Sequence, residues 1–176
     1  KHMKHIKRYI NVAINKEYMR IHQYPCRKYR IKTTDNKHTH LSPQELEQLE
    51  YLDLTGRDKK LRLTLDAFLF CCYAGLSYSD FVNLPPENRV QINNETWLIY
   101  RSIKAKIEVR LPLYLLFEGK ALKVLNQYIN KLASFFNIRD NSNVNKELIR
   151  ISQLAGINKR ISFHVARHTN ATLLIY

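Results

Sequence analysis

The sequence predicts a mainly α-helical fold that carries one small three-stranded antiparallel β-sheet. Three observations point there. Stretches at residues 1–20, 58–74, 119–132, 145–155 and after Ser162 read as helices, amphipathic or apolar at helical spacing. Strand-like runs of β-branched and aromatic residues are confined to 89–111 and are separated by turn residues. Helix punctuation is explicit in Leu41-Ser42-Pro43-Gln44-Glu45, where Ser is an N-cap, Pro opens the helix and Glu closes a capping box.

Taken in order, residues 1–20 set Met3, Ile6, Ile10, Ala13, Ile14 and Met19 against a basic face of Lys1, Lys4, Lys7, Arg8 and Lys16. One amphipathic helix cannot form a domain alone. This segment is therefore expected to be the last helix of a truncated N-terminal domain. Residues 21–40 lack sustained periodicity. There Arg27, Lys28, Arg30 and Lys32 interleave with Tyr24 and Tyr29, as in a basic linker lying along a nucleic-acid backbone or in a solvated basic loop. The third unit, 41–176, opens at the capping box, with Leu41 placed to staple onto Leu46 and the helix running to about Leu52. Residues 58–74 are apolar on all sides, which makes this helix the centre of the core, and Gly75 is its C′ residue. A short helix over 78–84 is stopped by Pro85-Pro86. Strands follow at 89–92, 97–101 and 107–111, with Asn93-Asn94 as the first turn, residues 102–106 as the second, and Pro112 ending the sheet. Helices over 119–132 and 145–155 come next, the latter ended by Gly156, and Ser162 caps the last helix.

Composition narrows the partners. Apolar residues make up 45% of 176 residues, enough for a proper core. The 29 Lys and Arg against 15 Asp and Glu give a net charge of +14, which calls for a polyanion. Nucleic acid is favoured over a membrane surface, since no stretch approaches the ~18 apolar residues of a span, and no signal-peptide pattern opens the chain. Cys26, Cys71 and Cys72 form neither a C-x-x-C nor an even set, as expected of reduced thiols in a cytoplasmic protein.

The chemistry concentrates in the last helix. His164, Arg167 and His168 stand three and four residues apart and so share a face near a helix start. Two imidazoles around a guanidinium are poor core material, because an unpaired buried charge is costly. They suit a phosphate: Arg forks onto two oxygens and His donates or relays a proton. A bare H-x-x-R is most often a surface helix. A zinc pair of His164 and His168 lacks the Glu of H-E-x-x-H, since position 165 is Val, and has no third ligand nearby. No metal and no cofactor is expected.

The fuller stretch Phe163-His164-Val165-Ala166-Arg167-His168-Thr169-Asn170-Ala171-Thr172 resembles the tyrosine recombinases, the phage-type integrases. Helices with one inserted small sheet fit that family's catalytic domain. The resemblance implies site-specific recombination or integration on double-stranded DNA through a 3′-phosphotyrosyl intermediate. It implies two Arg, a hairpin Lys, one or two His and a nucleophilic Tyr. Arg167 matches the second Arg, and His164 the His before it. Lys104 matches the hairpin Lys, in Lys104-Ala105-Lys106 leading to Leu111-Pro112-Leu113, with Lys106 as competitor. Lys4, Lys7, Arg8, Arg27, Lys28, Arg30, Lys32 and His168 are the expected DNA contacts. The family further implies a tetramer on paired DNA sites, in the bacterial cytoplasm.

Two departures stand out. The family's first Arg is replaced by Ser77 in Ala74-Gly75-Leu76-Ser77-Tyr78-Ser79-Asp80-Phe81, a wording that resembles integrases of Bacteroidetes mobile elements. Ser77 is expected to give a phosphate one hydrogen bond without charge, and Asp80 to be structural. Only nine residues follow Arg167, so the nucleophilic segment of the family is not in the sequence. The chain is therefore expected to bind DNA without cleaving it covalently. The alternative is a non-catalytic DNA-binding relative or a recombination accessory module. RNA binding is allowed by charge but supported by no motif.

Overall fold

The computed structural model describes residues 2–26 and 39–175, and the chain divides into two units, residues 1–37 and 38–176. Among its described residues the first unit holds α1, His2–Asn15, and a 3-10 turn, Ile21–Gln23. Helix α1 is shorter than the predicted 1–20. It closes in a Schellman arrangement: Glu17 takes φ 60°, Glu17 N donates to Ile14 O, and Tyr18 N donates to Ala13 O. Its half-buried stripe is Met3, Lys7, Ile10, Ala13 and Ile14, so Lys7 lies among the apolar residues while Ile6, Tyr9 and Val12 are exposed. Arg27, Lys28, Arg30 and Lys32 lie outside the described residues.

The second unit is built around α3, Arg62–Ala74, whose residues are buried without a break from Thr64 to Ala74. Around it pack α2 (Pro43–Glu50), α5 (Lys120–Asn126), α6 (Leu132–Phe136), α7 (Asn141–Leu154) and α8 (Phe163–Leu173). The capping box of α2 forms as the sequence dictates: Ser42 Oγ accepts from Glu45 N, and a Glu45 carboxylate oxygen accepts from Ser42 N at 2.7 Å. Residues 56–61 form a 3-10 turn rather than the first turns of α3. Gly75 takes φ +71° as the left-handed stop of α3, and α4 (Tyr78–Val82) follows directly.

The sheet is β1 (Arg89–Ile92), β2 (Glu95–Arg101) and β3 (Glu108–Pro112), antiparallel in the order β1-β2-β3. Asn93 and Asn94 both have positive φ, as a two-residue type I′ hairpin requires, and this fixes Ile92 opposite Glu95. Alternation then turns Thr96 and Leu98 inward, with Tyr100 half-buried on the same face.

Two further helix predictions need correction. The helix expected over 119–132 stops at Asn126, and after a 3-10 turn a separate α6 begins at Leu132. Its Phe135 and Phe136 are buried and pack on Phe70 and Phe81. The helix expected from 145 starts four residues earlier, where Asp140 caps α7 through the backbone N–H groups of Ser142 and Asn143.

Candidate phosphate-binding site

Helix α8 turns Phe163, Val165, Ala166, Thr169 and Asn170 into the core and leaves His164 and Arg167 exposed. Phe163 fixes its start, packing against Phe68, Tyr78 and Phe81. Thr169 Oγ1 accepts from Leu41 N, and Asn170 Nδ2 donates to the Cys72 and Tyr73 carbonyls at the end of α3. Ser162 occupies the N-cap position without giving a side-chain cap. The N–H of Phe163 goes instead to Asn145 Oδ1 of α7 at 2.7 Å. The helix bearing the H-x-x-R is thus tied by polar contacts to the segment leading into α2, to α3 and to α7.

A second framework holds the β2–β3 turn. Lys106 N donates to Ser102 O, Ser102 N donates to Ile107 O, and Lys106 accepts the left-handed φ of 61°. Asp80, 3% exposed, joins this turn to α4: its carboxylate accepts from Ile103 N and from Ser77 Oγ, each at 2.8 Å. Ser77 Oγ in turn accepts from Asp80 N as the cap of α4. Asp80 is structural, as expected. Ser77 departs from expectation, because its hydroxyl proton points at the Asp80 carboxylate rather than into open space.

Between these frameworks lies an open cleft lined by Ser77, Ser79, Lys104, Asn141, His164 and Arg167, with Tyr78, Ser102, Ala105, Asn145, Ser162 and Phe163 completing its wall. All four residues expected at the site from the sequence, Ser77, Lys104, His164 and Arg167, meet here although they come from three separate segments. Lys106 is not among the lining residues. His168 is half-buried beside the cleft, its Nε2 3.0 Å from His164 Nε2, so one imidazole donates to the other. Asn141 and Asn145 line the cleft without belonging to any motif of the sequence. Their i,i+4 spacing was the available signal, and Asn145 Nδ2 donates to Asn141 Oδ1.

The phenols of Tyr78 and Tyr100 are raised above their ordinary range. Burial, reinforced by Asp80, pushes the Tyr100 phenol up to about 12 against the opposing pull of Arg167. Burial, and then Asp140, raise that of Tyr78, whose hydroxyl already donates to Arg139 O. Three side chains able to carry positive charge in one open cleft suit a phosphodiester, whose oxygens carry the charge they compensate. Among the described residues no group of three or more His, Cys, Asp or Glu could hold a metal, and no helix is long and apolar enough to cross a membrane.

The phage integrase family model matches residues 39–176. Among solved structures, the chain is similar to the XerH site-specific recombinase bound to palindromic difH substrate in a post-cleavage complex. That match has a TM-score of 0.57 and 20% identity over 78% of this chain. The XerA recombinase gives 0.56 and 20% over 97%, and the XerH pre-cleavage complex with difH gives 0.55 and 19% over 77%. The chain spans 42% of the XerH chains and 67% of the XerA chain. At these identities the likeness is one of fold. No curated protein matches the chain in sequence.

Proposed function

Because the chain belongs to the phage integrase family, we propose that it acts in site-specific recombination of double-stranded DNA and that its cleft receives the scissile phosphate. The observation that carries this reading is the meeting of Lys104, His164 and Arg167 in one cleft from a hairpin turn and a helix far apart in sequence. Arg167 forks onto two non-bridging oxygens and His164 donates to one of them, opposing the charge that builds in the transition state. Lys104 protonates the leaving 5′ oxygen as general acid. A tyrosine of the family's nucleophilic segment, which this sequence does not contain, attacks the phosphorus, forms the 3′-phosphotyrosyl ester and so conserves the phosphodiester energy for rejoining. Residues 1–20 are the end of a core-binding domain, and 21–40 are a basic linker along the DNA backbone, with Arg27, Lys28, Arg30 and Lys32 as phosphate contacts. Lys4, Lys7 and Arg8 contact DNA from α1. The work is done on DNA in the cytoplasm, by a tetramer on paired sites.

A second reading is favoured by one observation, the absence of charge at Ser77 and the commitment of its hydroxyl to Asp80. It makes the chain a DNA-binding relative or accessory module that holds the phosphate without breaking it. One experiment separates the two. A protein carrying this chain together with the nucleophilic segment of the family is incubated with a randomised pool of nicked duplexes, and covalent protein–DNA adduct is scored on a denaturing gel beside binding by fluorescence anisotropy. Recombination predicts adduct that Arg167→Ala lowers by about 10²-fold or more while binding changes little. Binding without adduct supports the accessory role, and absence of binding refutes both.

A further inference from the structure

The β2–β3 hairpin carries two features that the phosphate cleft does not use. Ile107 is 61% exposed and Ile103 is 39% exposed, two β-branched aliphatic side chains at the tip of a turn. In sequence they are flanked by Arg101 and Lys106, while Lys104 lines the cleft and Arg110 is paired with Glu108 at 2.7 Å. The turn that presents them is stiff: the Ser102–Lys106 and Ser102–Ile107 backbone bonds close it, Arg101 Nε donates to Lys106 O, and Asp80 holds Ile103 N. A flexible loop would let the isoleucines fold back onto the protein. This one keeps them in solvent.

We propose that the tip of this hairpin is a minor-groove wedge, with Ile107 entering between base pairs of duplex DNA beside the phosphate held in the cleft. The proposal rests on the reading of the protein as DNA-binding. Minor-groove binders that bend DNA pair an apolar wedge with flanking cations, and both are present here on one rigid support. The cations answer the phosphates on either side of the groove, and Ile107 unstacks a step, most readily a flexible pyrimidine–purine one. Ile103, less exposed and anchored by its own N–H, packs against the sugar edge beside it. A protein partner would be a poorer occupant, because a small apolar tip flanked by the cations Arg101 and Lys106 matches a polyanion with an apolar interior.

The test uses the full chain and a duplex of about 30 base pairs with a central TA step, labelled at both ends for energy transfer and carrying 2-aminopurine at that step. Wild type is expected to bind, to bring the ends closer and to raise the 2-aminopurine emission as the base unstacks. Ile107→Ser should lower affinity about fivefold, with the salt dependence unchanged, and should abolish both optical signals. Ile107→Leu should restore them. Lys106→Ala should behave oppositely: the slope of log affinity against log salt falls by about one unit while the unstacking signal survives. Ile107 is exposed, so its variants are expected to melt with wild type. Binding by wild type with no bend or unstacking, or an Ile107→Ser variant that keeps both, overturns the wedge and leaves the DNA-binding reading intact. Failure of wild type to bind any duplex overturns both.

Discussion

The contact between Asn170 and the end of α3 is a strong test of how the H-x-x-R helix is held. Asn170 Nδ2 donates to Cys72 O at 2.9 Å and Tyr73 O at 3.1 Å, taking two of the carbonyls that a helix end leaves without partners. Both residues are almost fully buried, so water is not at hand to replace the amide. Asn170→Ala should therefore cost about 1–2 kcal/mol for each orphaned carbonyl, or about 2–4 kcal/mol together. For a unit of this size that is roughly 8–16 °C in Tm. Gly75 lies against the same side chain: a Cβ there would stand 2.7 Å from Asn170 Oδ1, on a backbone at φ +71°. Gly75→Ala should cost about 1–2 kcal/mol for the left-handed conformation, plus the clash. In the Asn170→Ala background the clash disappears and the conformational cost remains. A double-mutant cycle by urea unfolding should then give a coupling of about 1 kcal/mol or more, with the double variant less damaged than the sum of the two singles. Additive losses, or an Asn170→Ala variant that melts within about 2 °C of wild type, would refute this account of how α8 is fixed.

Three further outcomes follow from the same contacts. Asp80→Asn keeps one acceptor but faces an amide toward either Ser77 Oγ or Ile103 N; it should lower stability by about 1.5–3 kcal/mol and speed hydrogen exchange at Ile103 N, read by NMR. Burial works to raise the Glu45 carboxyl, but Lys159 and the Ser42 N–H outweigh it and hold it below its ordinary 4.5. A depressed carboxylate contributes stability above its unfolded value and loses it as pH falls through the folded one. The gap in unfolding midpoint between wild type and Glu45→Gln should thus be widest near neutrality and close in acid below pH 4.5. Tyr100 behaves with the opposite sense, its phenol raised from 10 to about 12: its contribution is intact below pH 10 and lost as pH climbs to about 12. Urea midpoints should fall less across that window in Tyr100→Phe than in wild type.

What could be read from sequence was whatever a short run of residues decides by itself. Ser42 and Glu45 sit three apart and need only each other, so their capping box was legible. Asn93-Asn94 tolerates positive φ, and the all-apolar run of α3 has nowhere to go but the centre. Gly156 announced the end of α7 because glycine adopts φ +70° freely; α1 ends in the same geometry on Glu17, a residue that gives no such notice, and so it was expected to run on. The break after Asn126 was illegible for another reason. Leu132, Phe135 and Phe136 continue a plausible helical pattern, and only their packing on Phe70 and Phe81 explains why the chain turns first.

The site shows the same division at the level of chemistry. Residue types were legible, because an H-x-x-R and a hairpin Lys carry their character wherever they lie, and the cleft unites them. Directions were not. Whether Ser77 faces a ligand or its own neighbour depends on a carboxylate three residues on, and whether that carboxylate is free depends on Ile103, which lies in the hairpin turn after β2. Asp80 therefore has two effects: it takes the Ser77 proton away from the cleft, and it sets the turn that carries Lys104 beside it. An arginine at position 77 would meet the same buried carboxylate. The Ser77→Arg variant should form an ion pair with Asp80 and add a cation to the rim, raising affinity for duplex DNA together with its salt dependence, by about one unit of slope if a new phosphate contact is made. A variant that melts like wild type yet binds DNA with unchanged affinity and slope would show that the phosphate lies elsewhere, and the assignment of this cleft would have to be abandoned.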